Sequence, residues 1–331
     1  MAIAFVVLVV WAASAAGGAP ADEGVSAGNV DYQRTVVEGG DGPDVAVVPV
    51  EGVIVNGSGS PADGTVGGDA LIELLDELAD DDDVEGIILE MNTPGGAVLA
   101  SAEVADRIKK LREDDDKKVV AWMRDTSASG GYYIAANADT IVAHPSTITG
   151  SIGVILSYLN LQGLADKVGV KPVVVKSGKL KDIGSPFKPL TDEEQKVLQS
   201  IITEAYGDFV EVVAEGRDMD EEKVRVLADG RIYTGRQAEA NGLVDELGSQ
   251  DTAIKEMEDL LDEDDINAVR YDAVVSIFDA FGFAAQGNTK LLDEVARGLT
   301  SGIAQPGGTP SSRGAAGHPG ALPQIEYRAV L

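Results

Sequence analysis

Ser129 stands in the run Thr126-Ser127-Ala128-Ser129-Gly130-Gly131-Tyr132-Tyr133, between an apolar strand-like stretch and the start of a helix. A serine followed by two glycines at such a junction can hold its hydroxyl on a sharp turn beside a backbone N–H, as a nucleophile requires. An N-cap serine would have the same local sequence, and Ser127 offers a second hydroxyl close by. The run Asn92-Thr93-Pro94-Gly95-Gly96 also follows an apolar strand-like stretch and precedes a helix. Paired glycines there let the backbone approach a ligand closely, and free N–H groups at a helix start suit an oxyanion. A tight strand-to-helix turn would call for the same glycines. A third stretch, residues 175–186, places Lys176, Lys179 and Lys181 beside Gly178, Gly184 and Pro186.

A serine nucleophile needs a base, and the composition narrows the choice. The chain has 331 residues, no cysteine and two histidines, with 26 Lys+Arg against 56 Asp+Glu and a net charge of −30. The absence of cysteine removes disulfides, thiolate metal sites and thiol nucleophiles. His318 falls in a Gly/Pro-rich tail, and His144 precedes Pro145 in a surface-type position. A lysine is then the candidate base. Burial favours its neutral amine, and lowering the amine by about 3 pKa units would cost roughly 4 kcal/mol of folding stability. By this reasoning Lys176, Lys179 and Lys181 are all open.

The acid excess repels phosphate, and no basic block of five or more residues offsets it, which excludes a general nucleic-acid or anionic-surface binder. The acidic runs at 80–83, 114–116 and 262–265 lack the alternating spacing of a calcium loop and read as solvated surface. Such a surface over an ordinary core resembles an adaptation to high salt, where screening cancels self-repulsion.

The elements that must position these residues can be read from periodicity. Strand-type runs are expected at 45–55, 84–91, 118–123 and 140–143, and helices at 69–79, 97–111 and 129–136. Strands alternating with helices imply an α/β layered domain with largely parallel pairing. Further on come a glycine-punctuated stretch at 147–155, a helix near 159–168 and a strand at 171–175. Thr191-Asp192-Glu193-Glu194 is a capping box that opens a long amphipathic helix to about Glu215. Short helices at 220–227 and 235–241, a short strand at 243–245 and a helix at 250–261 complete the pattern. Residues 1–21 carry no charge and, at about 1.5 Å per residue, reach roughly 30 Å as a helix, enough for a membrane anchor or a signal segment. Residues 22–44 read as a tether, 45–275 as the folded domain, and 276–331 as a C-terminal helix and Gly/Pro-rich tail.

Four motifs in this order, Asn92 to Gly96, Ser129-Gly130-Gly131-Tyr132-Tyr133-Ile134-Ala135, Thr147-Ile148-Thr149-Gly150-Ser151-Ile152-Gly153-Val154 and Lys181-Asp182-Ile183-Gly184-Ser185-Pro186, resemble the signal peptide peptidase A family of serine proteases. Asp229-Gly230-Arg231-Ile232-Tyr233-Thr234-Gly235 and Gly242-Leu243-Val244-Asp245 match as well, so the likeness runs from about residue 45 to 248, in the short form with a single catalytic unit. The resemblance implies a Clp protease/crotonase-like α/β fold of repeated ββα units behind an N-terminal membrane helix. It implies Ser129 as nucleophile and Lys181, 52 residues on, as general base, with Ser151 holding the lysine amine. The oxyanion hole would be the N–H of Gly130 with that of Gly95, or else Gly96. No metal or cofactor is implied. The implied substrates are cleaved signal peptides and other hydrophobic peptides at the membrane, met outside the cytoplasm by homo-oligomeric rings in which serine and lysine can come from different subunits. A membrane Ser-Lys protease with stomatin-like partners shares these features. A crotonase-type acyl-CoA enzyme would not need the Ser-Lys pair, and a peptide-binding scaffold without catalysis would not need the intact set.

Overall fold

The computed structural model describes residues 30–274, together with the short strands Val25–Ala27 and Ile325–Arg328. Its main sheet is built from β1 (Val30–Glu38), β2 (Asp44–Glu51), β3 (Val84–Thr93), β4 (Lys118–Ala128), β5 (Thr140–Ala143), β6 (Glu246–Leu247) and β7 (Asn267–Ala273). Across the sheet the order is β1, β7, β2, β3, β4, β5, β6, parallel throughout except for β1 against β7. Three helices connect or follow these strands: α1 (Gly68–Asp80), α2 (Val98–Glu113) and the short α3 (Gly130–Ala135).

The near-continuous apolar runs of β2, β3 and β4 follow from burial on both faces. Ala46, Val48, Ile87, Leu89, Val119 and Ala121 point into one core with Leu71, Leu74 and Leu75 of α1 and Val104 and Ile108 of α2. The alternate residues Val45, Val47, Ile88, Val120 and Val142 point to the other face, against Ala253, Ile254 and Met257 of the helix Gln250–Leu261. The expected α/β layering with parallel pairing is therefore present.

Several details differ from the periodicity. The run expected as one strand over 45–55 breaks at Gly52, whose φ is +92° and where a Cβ would lie 2.2 Å from the Gly64 carbonyl oxygen. The chain resumes as Val53–Val55, in a second small sheet that also holds Thr65–Gly67 and Gly95–Ala97. Residues 30–38, inside the expected tether, form β1, because β7 gives them a strand to pair with. Residues 171–175 form no strand, and Val173 and Val175 stand 90% and 98% exposed. A β-branched run gains stability by lying against a neighbour, and this one has no strand beside it among the described residues. The short strand expected at 243–245 lies at Glu246–Leu247 instead.

The described residues divide into two compact units, residues 30–155 with 200–274 and 326–328, and residues 156–199. In the second unit the helix Gln162–Val168 ends on Gly169 in the left-handed region, and a segment without helix or strand leads to the capping box at Thr191. The box forms as expected: the Thr191 N–H donates to Glu194 Oε2 at 3.0 Å, and the Glu194 N–H donates to Thr191 Oγ1 at 3.3 Å. The long helix Asp192–Gly216 follows. The expected membrane segment at 1–21 and the C-terminal helix within 276–331 lie outside the described residues. Among the described residues no helix is long and apolar enough to cross a membrane.

Candidate active site

β4 runs out of the sheet at Ala128, and Ser129 makes the corner into α3 with φ 56° and ψ −118°. This conformation suits glycine, and a side chain held there stores of the order of 1–3 kcal/mol. The surroundings enforce it. The Ser129 N–H donates to the Gly150 carbonyl at 2.7 Å, and the Ser129 carbonyl accepts from the Tyr133 N–H at 2.8 Å. The helix beyond is fixed by its tyrosines. The Tyr132 hydroxyl donates to the Leu243 carbonyl at 2.8 Å, and the Tyr133 ring lies 4.9 Å from that of Phe209. Burial pushes the Tyr132 phenol far above its usual range, which keeps it a donor.

Ser129 is no helix cap. Its backbone is not the extended form of an N-cap, and its side chain makes no capping bond. Its Oγ is buried and has no hydrogen-bond partner among the described residues, and the same holds for Ser127 Oγ. A buried hydroxyl left unpaired costs about 1–3 kcal/mol. A nucleophile on a sharp turn is expected to expose its Oγ, whereas Ser129 is fully buried, since its strand end sits between the Thr93 turn and the Gly150 corner.

Both walls are set by close packing. At Gly131 a Cβ would lie 2.6 Å from Thr93 Cγ2, so the second glycine of the pair is what lets α3 rest on the end of β3. The Gly130 N–H, first in the helix, has no intrahelical acceptor. Gly95, with φ +92°, donates its N–H to Thr93 Oγ1 at 3.0 Å, so the first-choice oxyanion donor is already engaged by its neighbour. On the other side β8 (Ile148–Gly150) runs parallel to the end of β4, pairing Thr149 with Ser127 and Gly150 with Ala128. Ser151 is thereby set beside Ser129, again with a positive φ of 52°, and its N–H donates to the Arg231 carbonyl at 2.8 Å. The strand Ile232–Thr234 backs this corner, and a Cβ on Gly150 would strike the Tyr233 ring at 2.5 Å. A cleft of about 350 Å³ opens at Ser151, lined in part by Val154, Tyr206, Ala228 and Ile232.

The structure thus gathers Ser129, Gly130, Ser151 and Gly95 into one cluster of adjoining loops. Thr93, which holds the Gly95 N–H and packs against Gly131, was missed by sequence reasoning; its place inside the Asn92 to Gly96 run was the available signal. The three candidate lysines belong to the second unit. Lys176 pairs with Asp182 at 2.6 Å, and Lys179 pairs with Glu193. Both are thus engaged by carboxylates, and Lys181 is the one of the three that makes no ion pair among the described residues. It is also exposed, where the elimination argument expects a buried lysine, because a series of turns from Gly178 to Gly184 presents it outward.

Residues 111–264 match the model of peptidase family S49. A protein of Methanocaldococcus jannaschii named as a protease is 44% identical over 200 residues, covering 60% of this chain and 64% of that relative. One of Enterococcus faecium named as signal peptide peptidase SppA is 48% identical over 180 residues, covering 54% and 52%. Protease 4 of Haemophilus influenzae is 36% identical over 226 residues, covering 68% and 36%. The chain therefore spans from about a third to just under two thirds of the length of these relatives. Strand, serine corner, supporting loops and the lysine segment all fall within or beside the matched region, and the chain carries a peptidase family S49 domain.

Proposed function

We propose that this chain is a serine endopeptidase that cuts cleaved signal peptides and other hydrophobic peptides at a membrane, with Ser129 as nucleophile and Lys181 as general base. The observation that carries the reading is the Ser129 corner: a serine at positive φ, with an unpartnered Oγ, between a strand and a helix whose first N–H is free of an intrahelical acceptor. Neutral Lys181 takes the hydroxyl proton while Ser129 Oγ bonds to the peptide carbonyl carbon. The Gly130 N–H and one from the Gly95-Gly96 pair receive the oxyanion. The ammonium returns the proton to the leaving amine as the C–N bond breaks, and water then hydrolyses the acyl-enzyme. Ser151 orients the lysine amine. If Gly95 is the second donor, its N–H exchanges Thr93 Oγ1 for the oxyanion.

The parallel, doubly covered sheet supports a Clp protease/crotonase-like arrangement, and the uncharged residues 1–21 support a membrane anchor with the catalytic domain outside the cytoplasm. The second unit supports self-association. Residues 167–188 hold Lys167, Lys171, Lys176, Lys179, Lys181 and Lys188 against the single carboxylate Asp182, in a chain of net charge −30. With Val173 and Val175 exposed beside them, they suit an acidic, partly apolar partner, which another copy of this chain supplies. A covering copy would also desolvate Lys181 and favour its neutral amine.

Hydrolysis of a hydrophobic reporter peptide by the full chain in molar salt tests the reading. Ser129→Ala and Lys181→Ala are each expected to lower kcat by at least about a thousandfold. Turnover that survives in both variants would refute the dyad, and loss in Ser129→Ala alone would move the base to Lys176 or Lys179.

A further inference from the structure

The segment that presents Lys181 has no helix or strand to hold it, yet it is not held by backbone turns alone. The Lys181 N–H donates to the Gly178 carbonyl at 3.2 Å, Ile183 N–H to Leu180 at 3.1 Å and Ser185 N–H to Asp182 at 3.1 Å. Around these turns runs a chain of charges. Asp182 Oδ1 accepts from Lys176 Nζ at 2.6 Å and from Lys188 Nζ at 2.9 Å. Lys176 Nζ also donates to the Lys179 carbonyl at 2.9 Å. Lys188 continues to Glu194, a buried carboxylate whose other oxygen accepts from the Thr191 N–H and hydroxyl at the head of the helix Asp192–Gly216. The residue next to Lys181 is thus the node that joins the turn, on both sides, to the start of a helix.

We propose that Asp182 is a positioning residue for Lys181: it ties the lysine turn to Lys176 and, through Lys188 and Glu194, to the helix start, and it is itself kept from pairing with the base. The inference rests on the reading of Lys181 as general base. A free carboxylate one residue from a general base would hold that base protonated, and here both neighbouring ammonium groups occupy it instead. The same two lysines, Lys176 first, hold the Asp182 carboxyl down at about 2, so the node stays charged across the working pH range. The charged groups that face Asp182 are Lys176 and Lys188, with Glu194 behind the latter. Holding a base within reach of its proton is worth large factors in rate while costing little in ground-state affinity, so the loss should appear in kcat and not in KM.

The test compares Asp182→Asn, Asp182→Glu, Lys188→Met and the double variant Asp182→Asn/Lys188→Met in peptide hydrolysis by the full chain. Asp182→Asn is expected to lower kcat by about tenfold or more with KM within about twofold, and Asp182→Glu to recover most of that loss. Because both changes cut one network, the double variant should lose no more than the worse single one, whereas independent surface effects would multiply. Wild-type kcat in Asp182→Asn, an equal loss in Asp182→Glu, or multiplicative losses would each overturn the proposal. Activity surviving in Lys181→Ala would instead remove the reading beneath it, so the two failures are distinguishable.

Discussion

Ser129, the proposed nucleophile, shows what such a position costs its fold. A side chain at φ 56° and an unpaired buried hydroxyl are two separate penalties at one position, and neither is relieved by capping. Ser129→Gly should therefore abolish turnover yet stabilise the chain by about 1 kcal/mol after the entropy of the added glycine is set against the released strain, read as a higher midpoint in urea. A lower midpoint would mean the corner is not strained. Ser127 carries the second penalty alone, with ordinary strand backbone. Ser127→Ala should leave kcat unchanged and stability equal or up to about 1 kcal/mol higher, and a large fall in kcat would put Ser127 into the chemistry. The types and order of Ser129, Ser151 and Lys181 were legible in sequence. The burial of Ser129 and the engagement of Gly95 by Thr93 were not, since both depend on how separate loops close on one another.

At the scale of elements, α3 is short for an independent helix and exists because its residues are buried and its tyrosines reach distant partners. Tyr132→Phe removes the bond to Leu243 and leaves a carbonyl unpaired, which should cost about 1–3 kcal/mol. The helix also carries a pH dependence. Burial first, then Asp208, Asp106 and Glu211, raise the Tyr133 phenol from its usual 10.0 to about 12. Because the raised folded value favours the neutral form, this contribution to stability is full below about pH 10 and is lost as pH rises towards 12. Thermal melting between pH 9 and pH 12 should show the decline, and Tyr133→Phe should flatten part of it. A second element to probe is the strand Gly95–Ala97, whose edge pairs antiparallel with Ile325–Arg328, Tyr327 opposite Gly96. An extended peptide adding to that edge competes with the chain's own segment. Removal of residues 321–331 should raise kcat/KM several-fold, and an unchanged value would show that substrate docks elsewhere. Element boundaries were read well where one face is apolar, as in α1 and α2. The failures at residues 30–38 and 171–175 have one cause: whether a strand-forming run becomes a strand depends on a partner that local sequence does not name.

For the whole molecule, a net charge of −30 over a conventional apolar core carries a self-repulsion that dissolved salt screens. Within that acidic surface the lysine-rich residues 167–188 and the exposed valines 173 and 175 stand out, and under the proposed self-association they are the region that a second copy would cover. Val175→Asp should shift the chain to a smaller species in sedimentation and reduce peptide turnover with it, and an unchanged assembly with normal turnover would separate catalysis from association. The most direct test of the central claim is the site of covalent labelling when the full chain reacts with a fluorophosphonate and is mapped by peptide mass spectrometry. The account predicts an adduct on Ser129 in the wild type, strongly slowed in Lys181→Ala. An adduct on Ser127, or Ser129 labelling that is unchanged in Lys181→Ala, would contradict it.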